Sequence, residues 1–150
     1  MKLSNRAIYG LRAIFDLAYH GDGQPMQIRE IAERAQIPLR FLEQILQDLK
    51  RAKIVESKRG PKGGYRLMIA PESITLAGVF EALADLPEVP EFEEAVEEEM
   101  ASAQIPDVVC REVFEKMCHL LESVTVADLM ERGEELGIQR NCYEGFVYVI

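Results

Sequence analysis

The chain has 150 residues, 48% of them apolar, enough for one buried core and too many for a globally disordered chain. No apolar run approaches the roughly 20 residues of a membrane span, and MKLSNRAIYGLR lacks a signal peptide's continuous apolar block and cleavage site. Three cysteines without a close pair make no disulfide framework, so a cytoplasmic protein is expected.

The net charge of −9 is an average over two unlike parts. Residues 1–70 hold 13 Lys/Arg against 7 Asp/Glu, whereas residues 71–150 hold 4 against 19. A cationic head, suited to phosphates, thus precedes an acidic body.

Ser4 can cap a first helix, in which Ala7, Ile8, Leu11, Ile14, Phe15 and Ala18 recur on one apolar face. GDGQP, residues 21–25, ends it. A short helix over about 28–35 follows, with Ile28, Ile31, Ala32 and Ala35 aligned. Only Gln36 and Ile37 precede Pro38, a residue favoured in a helix's first turn. A third helix then runs to about Lys53 and buries Leu42, Ile45, Leu46 and Leu49. Two short helices on so tight a turn read as helix-turn-helix. Arg40, Glu43, Gln44, Gln47 and Lys50 stay outside, long enough to reach base edges or phosphates. A merely solvated helix face is the alternative.

Ile54-Val55 and Tyr65–Ile69 read as two short strands joined by a glycine-rich loop. That loop lacks the GxxxxGK[ST] of a nucleotide-binding turn, and a strand follows it rather than a helix. A hairpin directly behind a recognition-type helix is a wing. From Lys50 to Arg66 there are seven Lys/Arg against Glu56 alone, and Gly60, Gly63 and Gly64 permit close backbone approach.

Beyond Pro71, Thr75 or Ser73 caps a helix to about Asp85, with Leu76, Val79, Phe80 and Leu83 inward. PEVPEFEEAVEEEM places seven acids between Glu88 and Glu99. This is read as a solvated acidic loop over about 87–107, because nothing near it would raise a carboxylate pKa. A helix over about 108–121 carries Val109, Val113, Phe114, Met117, Leu120 and Leu121. So broad an apolar face reads as a dimer interface. Thr125 with Asp128 forms a variant capping box. The tail NCYEGFVYVI has strand character, and its Cys142 could be a reactive thiol. His20 and His119 sit in no nucleophile–base arrangement, so no enzyme is expected.

These segments together resemble the Rrf-type, IscR-like family of bacterial winged-helix regulators, over nearly the whole chain to about Leu129. MKLSNRAIYGLRAIFDLA resembles the opening helix, and IREIAERAQIPLRFLEQILQDLKRAKIV the helix-turn-helix. SKRGPKGGYRL is similar to the family's wing, and VTVADL to its late helix start. The resemblance implies a mainly α fold. A winged helix-turn-helix DNA-binding domain would span 1–70, and a dimerisation and sensor region with a long helix 71–150. It implies a homodimer on a near-palindromic operator, with half-sites about 34 Å apart or a multiple. By position, Leu39, Arg40, Glu43 and Gln44 would meet bases, while Lys58, Arg59, Gly60, Lys62 and Gly64 would hold the backbone.

The sensor region departs from the family's pattern. Cluster-binding members carry three close cysteines and a histidine before the dimer helix; the last cysteine and the histidine fall here at Gln104 and Asp107. Cys110 and Cys118 resemble instead the cysteine pair of members that hold a 2Fe–2S cluster with a carboxylate and a histidine from the partner's first helix. Ile8 and Arg12 stand at those last two positions. The expectation is a redox or iron switch through a 2Fe–2S cluster on Cys110 and Cys118, with His119 a further candidate ligand. Eight residues along an unbroken helix span about 12 Å, so a shared iron needs that helix to start or break between the two thiols. Zinc is disfavoured, because no Cys-x2–4-Cys spacing occurs. The alternatives are the same fold sensing by thiol oxidation, a small metabolite or a partner protein, and a winged helix used for protein contacts.

Overall fold

The computed structural model describes residues 3–86 and 102–141. Helix α1 (Asn5–Gly21) starts where the Ser4 hydroxyl accepts from the Ala7 N–H at 3.1 Å, and stops where Asp22 turns left-handed. Helices α2 (Ile28–Ala35) and α3 (Leu39–Arg51) are joined by Gln36, also left-handed, and by buried Ile37, whose N–H reaches the Ala32 carbonyl at 2.9 Å. Pro38 serves as the N-cap of α3, one residue earlier than its first-turn preference suggests. The helix ends before the expected Lys53 because that residue takes φ +60, sending the Ile54 N–H back to Leu49 at 3.0 Å.

Strands β1 (Val55–Lys58) and β2 (Gly64–Leu67) pair antiparallel, Val55 opposite Leu67 and Lys58 opposite Gly64. The hairpin is thus shifted toward its tip relative to the sequence expectation. Ser57 and Lys58 belong to the ladder, while Met68 and Ile69 lie past the end of β2 and are exposed, though the Met68 N–H still reaches the Ile54 carbonyl at 2.9 Å.

Helix α1 is the spine. Ala13, Ile14 and Leu17 share one core with Ile31 of α2, Leu42, Ile45, Leu46 and Leu49 of α3, and Val55 of the wing. Ile74, Val79, Leu83 and Val126 join the same core, so residues beyond Pro71 complete the head rather than merely hang from it. Helix α4 (Leu76–Ala82) is capped by Thr75, which accepts from Gly78 at 3.0 Å; Ser73 lies in a preceding 3-10 turn. It ends short of Asp85 because Ala84 is left-handed.

Helix α5 (Ile105–Ser123) begins three residues earlier than expected, runs without a break, and buries none of its residues fully. Helix α6 (Val126–Glu135) carries the complete Thr125–Asp128 capping box and returns to α1. The segment after it crosses the end of α1: the Tyr19 hydroxyl donates to the Ile138 carbonyl at 2.7 Å, and the Asn141 N–H donates to His20 Nδ1 at 2.9 Å. Residues 87–101, with most of the acidic stretch, and the tail 142–150, with Cys142, lie outside the described residues. No described helix is long and apolar enough to cross a membrane.

Candidate nucleic-acid interface

Burial of Leu42, Ile45, Leu46 and Leu49 fixes the roll of α3 and so decides which side chains face out. Arg40, Glu43, Gln44 and Gln47 are all exposed, forming a polar row on the first three turns, with exposed Leu39 at its start. The wing stands beside this row. Lys50 Nζ donates to the Ser57 hydroxyl at 2.6 Å, tying α3 to β1. Lys58, Arg59, Gly60 and Lys62 are exposed at the tip. Arg66 is committed to Glu56 at 2.6 Å. Arg40, Lys58, Arg59 and Lys62 pair with no carboxylate among the described residues.

Gly64 is placed otherwise than the other wing residues. It is half-buried at φ +148, and a Cβ there would sit 2.2 Å from the Met26 carbonyl oxygen. Met26 and Tyr65 exchange two backbone hydrogen bonds of 2.8 Å. Gly64 therefore seats the wing on the segment before α2. Gly63 is as tight, its absent Cβ lying 2.2 Å from the Lys58 carbonyl oxygen.

A partly buried ion pair backs this junction. Arg34 of α2 donates from Nε and Nη2 to the two Asp16 oxygens of α1, at 3.0 and 2.9 Å, and Nη2 also lies 3.8 Å from the Met26 sulfur. His20, close by, is held below its ordinary value of 6.5, chiefly by burial; Asp16 opposes this, and Arg34 and Arg140 add to it.

A profile of the Rrf2 family, described as an iron-dependent transcriptional regulator, matches residues 3–132. The chain belongs to the Rrf2 family. It is 37% identical over 130 residues to slr0846 of Synechocystis sp., named an HTH-type transcriptional regulator, over 86% of this chain and 87% of that protein. Among solved structures it is similar to T. potens IscR, with TM-score 0.74, 29% identity and 93% of each chain covered. It is also similar to CymR (YrzC), titled the global cysteine regulator of B. subtilis, with TM-score 0.69, 31% identity, and 88% of this chain and 98% of that one covered.

For this Rrf2 chain the expected cluster ligands do not converge. Cys110 and Cys118 lie eight residues apart on the unbroken α5, about 12 Å along its axis. The break that a shared iron requires is absent, so the expected pair does not meet within one subunit. Cys110 is exposed, Cys118 half-buried, and exposed His119 faces Glu122 at 3.3 Å. Among the described residues no three His, Cys, Asp or Glu side chains group for a metal ion. The donors present do not fit a 2Fe–2S cluster on a single chain.

Sequence reasoning missed Tyr9, Met26, Gln27 and Phe41. Met26 and Gln27 sit in an irregular connection with no period to read; they contact the wing only through the fold, Gln27 Nε2 reaching the Gly63 carbonyl at 3.5 Å. Tyr9 and Phe41 meet across α1 and α3 with ring centroids 6.2 Å apart.

Proposed function

We propose that this chain is a sequence-specific DNA-binding transcriptional regulator acting as a homodimer, and not an enzyme. The observation that carries the reading is the polar row of α3 flanked by the uncommitted wing cations. A protruding recognition helix enters the major groove and reads base edges, while cations beside it neutralise phosphates. Leu39, Arg40, Glu43 and Gln44 are the base-reading candidates, and Lys58, Arg59, Gly60 and Lys62 the backbone contacts; Gly64 acts by seating the wing.

The homodimer is supported by α5. Ile105, Val109, Val113 and Leu120 are exposed, the last two at 61% and 62%; a stripe of this kind is covered in an isologous pair. Selection from random duplexes should enrich a two-fold site with half-sites about 34 Å apart or a multiple. Val113→Glu with Leu120→Glu should sediment as a monomer and bind that site at least tenfold more weakly. A wild-type monomer that binds half-sites independently contradicts the dimer.

No step of this reading passes through a cluster. The reading favoured for the signal is the same fold switched without one, by thiol chemistry, a small metabolite or a partner protein, because Cys110 and Cys118 do not converge. Iron and acid-labile sulfide on anaerobically purified protein decide between the two. Under one iron per subunit is expected; about two, lost in both Cys110→Ala and Cys118→Ala, would mean that ligands join them from a second copy or from outside the described residues.

A further inference from the structure

The first turn of α3 leaves two large apolar side chains in water, Leu39 at 38% and Phe41 at 54% exposure. Phe41 is held in place rather than loose: its ring meets Tyr9 of α1, and the Arg12 guanidinium lies 5.9 Å over the Tyr9 ring. Beside it opens a cleft of about 240 Å3, lined by Asn5, Arg6, Tyr9, Phe41, Gln44 and Ile45. Arg6 is spent as a wall, bonded to Asp48 and donating from Nε to the Leu83 carbonyl at 3.2 Å. Exposed Asn5 lines the α1 side; the two groups that α3 leaves to meet a ligand are the Phe41 ring and the exposed Gln44 amide. They lie three residues apart, neighbours on one flank of the helix. This is the flank away from the wing, since Lys50 and its partner Ser57 mark the other.

These two groups have complementary targets on one kind of base pair. A glutamine amide pairs bidentately with adenine, donating to N7 and accepting from the N6 amino group. An apolar side chain in the major groove gains most from the thymine 5-methyl group. We propose that the Tyr9–Phe41–Gln44 cleft is an A·T-reading subsite, in which Gln44 holds an adenine and Phe41 packs on a thymine methyl of the same or the adjoining pair. Tyr9 is a positioning residue, fixing the Phe41 ring. The subsite rests on the DNA-binding reading above and adds a base-pair identity to it. Charge permits the approach, because the head around the cleft is cationic.

The test uses the full chain and a duplex it selects from random DNA. Each thymine is replaced in turn by deoxyuridine, which removes the methyl group alone, and affinity is measured for wild type, Phe41→Ala and Phe41→Leu at one salt concentration. One thymine in each half-site should cost wild type roughly fourfold, the transfer free energy of one methyl-sized group. Phe41→Ala should be indifferent to that replacement, and Phe41→Leu, which keeps apolar contact, should retain part of the preference. Equal weakening of Phe41→Ala on thymine and deoxyuridine duplexes overturns the subsite and assigns Phe41 to the sugar–phosphate backbone or to packing. Indifference of wild type at every thymine overturns it as well. Failure of wild type to bind or select any DNA overturns the parent reading with it.

Discussion

Gly64 connects a single backbone angle to the placement of the wing. At φ +148, with the Met26 carbonyl where a side chain would begin, alanine is strained twice over. Gly64→Ala should lower stability by about 1–3 kcal/mol in thermal melts and weaken DNA binding; an unchanged melt would show that the wing seats without the Met26 contact. Asp16 is the second such residue. Its removal strands Arg34, a quarter exposed in its side chain, so Asp16→Ala should cost about 2 kcal/mol, less than a fully buried pair would. His20 gives a pH signature. Its folded pKa is lowered, so between 6.5 and that lower value the unfolded chain binds more protons. The stability His20 contributes is therefore present above 6.5 and lost as the pH falls through this window. The melting temperature should drop between pH 7.5 and 5.5, and His20→Gln should reduce the drop; equal drops would remove His20 from the account. Such residue-level facts were the least legible in sequence. Gly60, Gly63 and Gly64 look alike there, and only the approach of Met26 separates the seat from the tip.

At the scale of elements, most of the architecture was legible because local rules and burial agree. Ser4, Thr75 and Thr125 cap the helices they were expected to cap, and the apolar period of α3 selected its buried stripe. The misplaced ends share a cause. Lys53 and Ala84 adopt left-handed φ without being glycine, so no sequence signal marks the stop. Thr125→Val should cost about 1 kcal/mol in a melt, the usual worth of an N-cap; no loss would mean the Thr75–Thr125 bridge holds the turn alone. The start or break between Cys110 and Cys118 that a shared iron would need is absent from α5, so the two thiols do not meet within one subunit. Spacing along a chain says how far apart two thiols lie on a helix, not whether the helix continues between them.

At the scale of the molecule, the charge split read from the sequence has a structural counterpart. Eight of the 13 cations of residues 1–70 fall from Arg40 to Arg66, on α3, the turn after it and the wing, whereas α4 and α6 supply core to the head. The sequence divides the chain at about residue 70 by charge, yet Ile74, Val79, Leu83 and Val126 join the α1 core; such long-range packing leaves no period to read. The polar row of α3 was legible because a buried stripe implies its opposite face, but its cleft with α1 required two elements to meet. The most direct test of the account is the salt dependence of affinity for a selected duplex, in wild type and Arg59→Ala/Lys62→Ala. Each phosphate left without its cation should lower the log–log slope by about one, so the double variant should lose about two per subunit while keeping the same sequence preference. Unchanged affinity and slope would contradict a wing that holds the DNA backbone.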